Sequence, residues 1–128
     1  MLELVELGDF GKDARALLTE DQLTGLGDEL ATLRQLGNVI KDTGGLRKFR
    51  WGAKGKGKRG GVRVVYYYGG DHMPIFLIAI YSKSEKADMT GPEKKAARKL
   101  VETLKNEYRL KKVQPHLRVV YGSRKGRR

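Results

Sequence analysis

Eight consecutive residues, Pro74–Tyr81 (PIFLIAIY), carry no charge and no polar side chain apart from the closing tyrosine hydroxyl. Side chains alternate across a strand, so a strand with one wet face would alternate in polarity. This one does not, and the run predicts a central strand covered on both sides. Just before it, Val62–Tyr68 (VRVVYYY) places Val62, Val64, Tyr66 and Tyr68 on one face and Arg63, Val65 and Tyr67 on the other. Leu46–Trp51 alternates in the same way, Leu46, Lys48 and Arg50 against Arg47, Phe49 and Trp51. Gly69–Asp71 is turn chemistry and Gly52–Gly61 is a flexible basic connection, so the three runs predict an antiparallel meander.

The flanking segments change period. Leu2–Leu7 reads as a short strand, and Asp9–Leu18 as a helix with Asp9 as N-cap and Phe10, Ala14, Leu17 and Leu18 inward. Thr19 and Gln22 have capping-box spacing, and Leu23, Leu26, Leu30 and Leu33 then recur on one helical face that Gly37 and Asn38 close. Gly25 and Gly27 inside that helix weaken it by about 1 kcal/mol each relative to alanine. Thr90-Gly-Pro-Glu93 is a second capping box, and Ala97, Leu100, Val101, Leu104 and Tyr108 form one buried stripe. The expected fold is α+β: a small twisted, mainly antiparallel sheet of about four strands, two N-terminal helices and one C-terminal helix, with the helices on one face. Residues 1–110 read as the domain and 111–128 as a basic C-terminal extension, in which Leu117–Gly122 echoes Val62–Tyr66 either as an added strand or, more simply over five residues, by chance.

Charge is the second constraint. The 128 residues carry a net +12, yet residues 1–43 hold nine acids against four bases, leaving +17 for the remainder. Gly44–Arg63 contains eight cations, no acid and interspersed glycines. A block of like charge needs an anionic partner to offset its self-repulsion, and phosphate is the first candidate. Cysteine is absent, which excludes disulfides and thiolate chemistry. No segment reaches the roughly 18 apolar residues of a membrane span, and the first ten residues have acids where a signal peptide has bases, so a cytoplasmic location is expected. His72 and His116 lack metal-ligand spacing, and no Gly-x-Ser-x-Gly elbow is present; no metal or cofactor is expected. The glycine–lysine loop 52–61 lacks the G-x-x-x-x-G-K-[ST] order and does not open a helix. Its ammonium groups and unobstructed amides suit following a phosphate backbone, although a solvated hairpin loop is the plain alternative.

A more specific set lies on the strands. Lys48 and Arg50 alternate on one, Arg63 sits on the next, and Lys83 and Lys86 follow the central one. Neighbouring strands are about 4.8 Å apart, so these cations can converge on one surface. Crowded like charges favour a neutral lysine, which can act as a base, while arginine stays charged and can stabilise a phosphorane-like transition state. A passive phosphate-binding face uses the same residues.

Taken together, Asp42-Thr-Gly-Gly-Leu-Arg-Lys-Phe-Arg-Trp51, Gly55-Lys-Gly-Lys-Arg-Gly-Gly-Val-Arg-Val-Val-Tyr-Tyr-Tyr68 and Ile80-Tyr-Ser-Lys-Ser-Glu-Lys-Ala-Asp-Met-Thr90 resemble the RelE/HigB toxins of bacterial type II toxin–antitoxin modules, nearest the HigB-like branch. The resemblance covers Leu2–Glu107 in element order, with its specific motifs in residues 42–90. It implies a RelE/ParE-like fold and a metal-independent, ribosome-dependent mRNA endonuclease that enters the A site, where the RNA 2′-OH attacks the adjacent phosphate and translation stops. On that resemblance Arg63 matches the arginine that stabilises the transition state, Lys83 the basic residue after the central strand, and Lys48 and Arg50 the paired strand cations. Lys54, Lys56, Lys58 and Arg59 match the loop that contacts ribosomal RNA, and Lys86 is a further RNA contact. Tyr67, on the Arg63 face, is expected to stack a base. The chain has Met89 and Thr90 where some members carry a catalytic tyrosine, which leaves Lys83, Lys86 or a tyrosine as general acid. The implied partners are a cognate antitoxin of helix-turn-helix type, the ribosome, mRNA and ribosomal RNA, with no membrane. Two other readings compete: a non-catalytic RNA- or ribosome-binding protein using the same basic face, and a gyrase-directed ParE-like toxin of the same superfold, which does not require the Lys48, Arg50, Arg63 and Lys83 cluster.

Overall fold

A computed structural model of the chain describes residues 3–53, 55, 61–82 and 88–109. Five strands make one sheet in the order β1-β5-β4-β3-β2, where β1 is Leu4–Glu6, β2 Asn38–Val39, β3 Arg47–Trp51, β4 Val62–Tyr67 and β5 Ile75–Ser82. β5 is paired on both edges, parallel to β1 and antiparallel to β4. The meander expected from the two alternating runs and the apolar run after them is β3-β4-β5. Its ladder slips once: Val65 pairs with Ala79 but Tyr66 with Leu77, which leaves Ile78 as a bulged residue on β5. The sheet has one strand more than expected because β2, at two residues, is too short to show any period. It pairs with β3 through Asn38 opposite Lys48 and Val39 opposite Arg47.

The helices α1 (Phe10–Leu17) and α2 (Glu20–Leu33) cover the face of the sheet that carries Leu4, Val62, Val64, Tyr66, Ile75 and Leu77. Leu26 and Leu30 of α2 are fully buried there, each contributing on the order of 1.5–3 kcal/mol. The third helix, α3 (Gly91–Arg109), corrects the expectation of helices on one face. Its Ala97, Val101 and Leu104 pack on the opposite side, against Val5, Leu46, Val65, Tyr67 and Phe76. The physical reason is β5 itself: a strand apolar on both faces needs a cover on each, and one helical layer supplies only one. The fold is therefore α+β in three layers.

Local chemistry sets the element ends. Thr19 and Gln22 exchange the two capping-box hydrogen bonds at 2.9 and 3.1 Å, and Thr90 and Glu93 do the same at 2.9 and 3.2 Å. Asp9 occupies the N-cap of α1, but its side chain makes no capping bond. Helix α2 stops at Leu33, earlier than Gly37, because Arg34 adopts φ +52. A non-glycine residue there costs about 1–3 kcal/mol and persists only when its surroundings over-determine it. Here the Arg34 carbonyl accepts from the Tyr66 hydroxyl at 2.9 Å, and its Nε lies 2.9 Å from Asp71 Oδ1.

Thr43, the one fully buried polar residue among those described, orders the β2–β3 turn: its Oγ1 donates to the Ile40 carbonyl at 2.7 Å and accepts from the Leu46 amide at 3.1 Å. Gly44 (φ +82) then passes within 3.5 Å of Val101, and Gly45 (φ +119) within 3.4 Å of the Tyr67 ring, distances measured from where a Cβ would stand. No helix among the described residues is long and apolar enough to cross a membrane. The C-terminal extension 111–128, with its candidate strand, lies outside the described residues.

Candidate nucleic-acid interface

Strand β3 is fixed by one of its faces. Phe49 meets Tyr66 edge-on at 5.5 Å and Trp51 at 6.3 Å, contacts worth about 0.5–1.5 kcal/mol each beyond their burial. Trp51 Nε1 also donates to the Gln22 carbonyl at 2.9 Å, and its ring runs beside Gly25, where an added Cβ would stand 3.4 Å away. With the aromatic side held down, strand alternation turns Lys48 and Arg50 to the opposite face, the side on which α3 packs.

On that face the register sets Arg50, Arg63 and Tyr81 in one row across β3, β4 and β5, and Lys48, Val65 and Ala79 in the next. Like charges directly opposite on paired strands are destabilising, so nothing in folding calls for Arg50 opposite Arg63. Helix α3 covers the other end of the same face, over Val65, Tyr67 and Phe76. Arg50 is exposed and Arg63 half-buried. Lys48 Nζ lies 3.8 Å from Asp88 Oδ1, a loose pair whose acid is 92% exposed and which contributes little.

Arg63 is the most unusual member. Its Nη1 is buried and has no hydrogen-bond acceptor among the described residues. Buried polar atoms are nearly always partnered, and an orphaned donor costs about 1–3 kcal/mol. A guanidinium is always charged and matches the fork of a phosphate. The row can therefore hold an anion: a half-buried arginine at its centre, a second arginine beside it, a lysine one step along and a phenol at its end.

Of the residues expected from sequence, the structure brings Lys48, Arg50 and Arg63 together. Lys54, Lys56, Lys58, Arg59, Lys83 and Lys86 lie outside the described residues. Tyr67 requires a correction. It shares the Arg63 face, but at 4% exposure it sits under α3 in the core with Val101 and Leu104, where no base can stack on it. Burial, with the Glu102 carboxylate adding to it, holds its hydroxyl above the ordinary tyrosine range. Tyr66 is raised by burial, against the Leu36 backbone hydrogen bond and Arg47, and Tyr68 by its hydrogen bond to Asp71.

Two partners were missed in the sequence reading. Tyr81, half-buried at the end of the arginine row, is the aromatic next to Arg63, and Asp88 is the acid beside Lys48. Both depend on chain registers that no local pattern reports: the bulge at Ile78 puts Tyr81 opposite Arg63, where unbroken pairing from Tyr67 and Phe76 would put Ile80. Arg47 faces the other way, its Nη1 donating to the Gly37 carbonyl at 3.0 Å, and serves the β2–β3 hairpin. Among the described residues no three His, Asp or Glu side chains form a metal-binding group. Compared with known protein families, residues 12–116 match the family model described as the RelE toxin of the RelE/RelB toxin–antitoxin system.

Proposed function

The chain belongs to the RelE toxin family, the toxin half of a type II toxin–antitoxin module with an antitoxin as partner, and we propose that it is a ribosome-dependent endoribonuclease acting on the arginine row. The observation that carries this reading is the Arg63 guanidinium, half-buried, opposed by a second arginine, with one donor left without an acceptor among the described residues. In the reaction the 2′-hydroxyl of the message attacks its adjacent phosphorus and the P–O5′ bond breaks. The products are a 2′,3′-cyclic phosphate and a 5′-hydroxyl. Arg63 and Arg50 neutralise the charge that grows on the non-bridging oxygens, worth about 10²–10³ in rate for a well-placed donor. Lys48 holds the neighbouring phosphate. The proton lost from O2′ and the proton gained by O5′ pass through Lys83, Lys86 or Tyr81, the last placed directly beside Arg63. Lys54, Lys56, Lys58 and Arg59 contact ribosomal RNA around the A site, and an antitoxin of helix-turn-helix type covers the same cations.

The test is purified protein added to a defined mRNA, free or threaded through ribosomes with an open A site. The expected result is cleavage on the ribosome, within the A-site codon, leaving 5′-hydroxyl ends. Binding to ribosomes without cleavage would instead establish the non-catalytic reading, and DNA breaks in place of RNA cuts the gyrase-directed one.

A further inference from the structure

Beside the cation row, α3 and the sheet leave an apolar groove of about 330 Å³, lined by Leu46, Val65, Ala79, Tyr81, Met89 and Ala97 among others. Its floor is continuous with the row. Tyr81 is both the end of the Arg50–Arg63 line and a wall of the groove, while Val65 and Ala79 stand in line with Lys48. The groove is almost wholly apolar, yet two of its lining residues pair in register with cations, Val65 with Lys48 and Tyr81 with Arg63. Its volume is at the lower end of the roughly 300–1,000 Å³ of small-molecule sites. A flat group with apolar faces, tied to an anion one strand spacing away, matches that lining and the row beside it.

We infer that the groove is a nucleobase subsite: it receives the base of the nucleotide whose phosphate lies on Arg63 and Arg50, with Tyr81 against one side of the ring. This rests on the reading of the cation row as a phosphate site and adds what sits next to it. The groove, rather than the buried Tyr67, supplies the base contact, and its shape contributes to which nucleotides are cut. Glu93 stands at the rim with one carboxylate oxygen already accepting from the Thr90 amide, a fixed acceptor edge near the base.

The experiment uses the full chain labelled at Ala, Ile and Met methyls, titrated with adenosine 5′-monophosphate, ribose 5-phosphate and inorganic phosphate, with the Arg63 Nε–H signal followed in parallel. All three anions should move Arg63. Only the nucleotide should move the Ala79, Ile78 and Met89 methyls, and it should bind about tenfold more tightly than ribose 5-phosphate, the scale of one stacked base. Ala96→Leu fills the groove from an exposed helical position, so the fold is kept. It should bring the nucleotide down to the affinity of ribose 5-phosphate while leaving the phosphate response unchanged. Methyls that stay still while Arg63 responds, or an Ala96→Leu variant that binds the nucleotide like wild type, would overturn the subsite alone. Loss of the Arg63 response to every anion would strike the phosphate site itself. Methyl shifts that appear with the antitoxin and never with the nucleotide would make the groove a protein-docking surface and refute the assignment.

Discussion

Two residues show how side chains divide between building and acting. Arg63 is placed against the interests of the fold, opposite Arg50 and with a buried donor that has no acceptor among the described residues, which is why the proposed function assigns it to a phosphate. Thr43 is the reverse. It stands in the Thr-Gly-Gly-Leu-Arg-Lys run that carries much of the family resemblance, yet it is fully buried and answers only the Ile40 carbonyl and the Leu46 amide. Thr43→Val keeps the shape and removes both bonds, stranding the Leu46 amide. A destabilisation of about 1–3 kcal/mol is expected in the urea midpoint, with the anion response of Arg63 retained in the folded fraction. An unchanged midpoint would contradict the structural role of Thr43.

The hairpin of β2 and β3 is the element on which the site depends most. Gly37 sits at φ +70 where the chain turns into β2, and a Cβ there would collide with the Lys48 carbonyl and come within 2.7 Å of Phe49 Cβ. Gly37→Ala should therefore cost about 1–3 kcal/mol, read from the urea midpoint, and shift the amide resonances of residues 47–51, the strand that carries Lys48 and Arg50. A variant with wild-type stability and spectrum would show that the close approach is not needed.

Elements of this kind also mark the limit of the sequence. The period-two runs of β3 and β4 and the unbroken apolar run of β5 were legible, including which face Arg63 shares with Lys48 and Arg50, because alternation holds along the regular β3–β4 ladder. Both Thr capping boxes were legible because they are local. The side taken by α3 was not, since its apolar stripe states that it must be buried but not against which face. Tyr67 failed for a related reason: alternation gives the face of a side chain, not its position along the strand, and α3 covers only one end. Strand β2 and the nearness of Tyr81 and Asp88 arise from pairing across connections, which no window of a few residues contains.

For the molecule as a whole, charge is divided along the chain. The first 43 residues, which include α1 and α2, are net acidic, and the remaining net +17 includes the arginine row and α3, with Lys95, Arg98, Lys99 and Lys105 on the helix. Under the proposed function, such a distribution favours approach of the basic residues to a phosphate-rich surface. Under the proposed function the reaction depends most on Arg63, at the centre of the arginine row. The most direct test is to induce wild type and Arg63→Ala in cells and map mRNA 5′ ends, with the folded state of the variant checked by its thermal transition. Wild type should create codon-phased new ends in translated messages. Arg63→Ala should remove them while melting at or slightly above the wild-type temperature, because the substitution relieves a like-charge pair and an orphaned donor. Codon-phased ends that persist undiminished in Arg63→Ala would contradict the account.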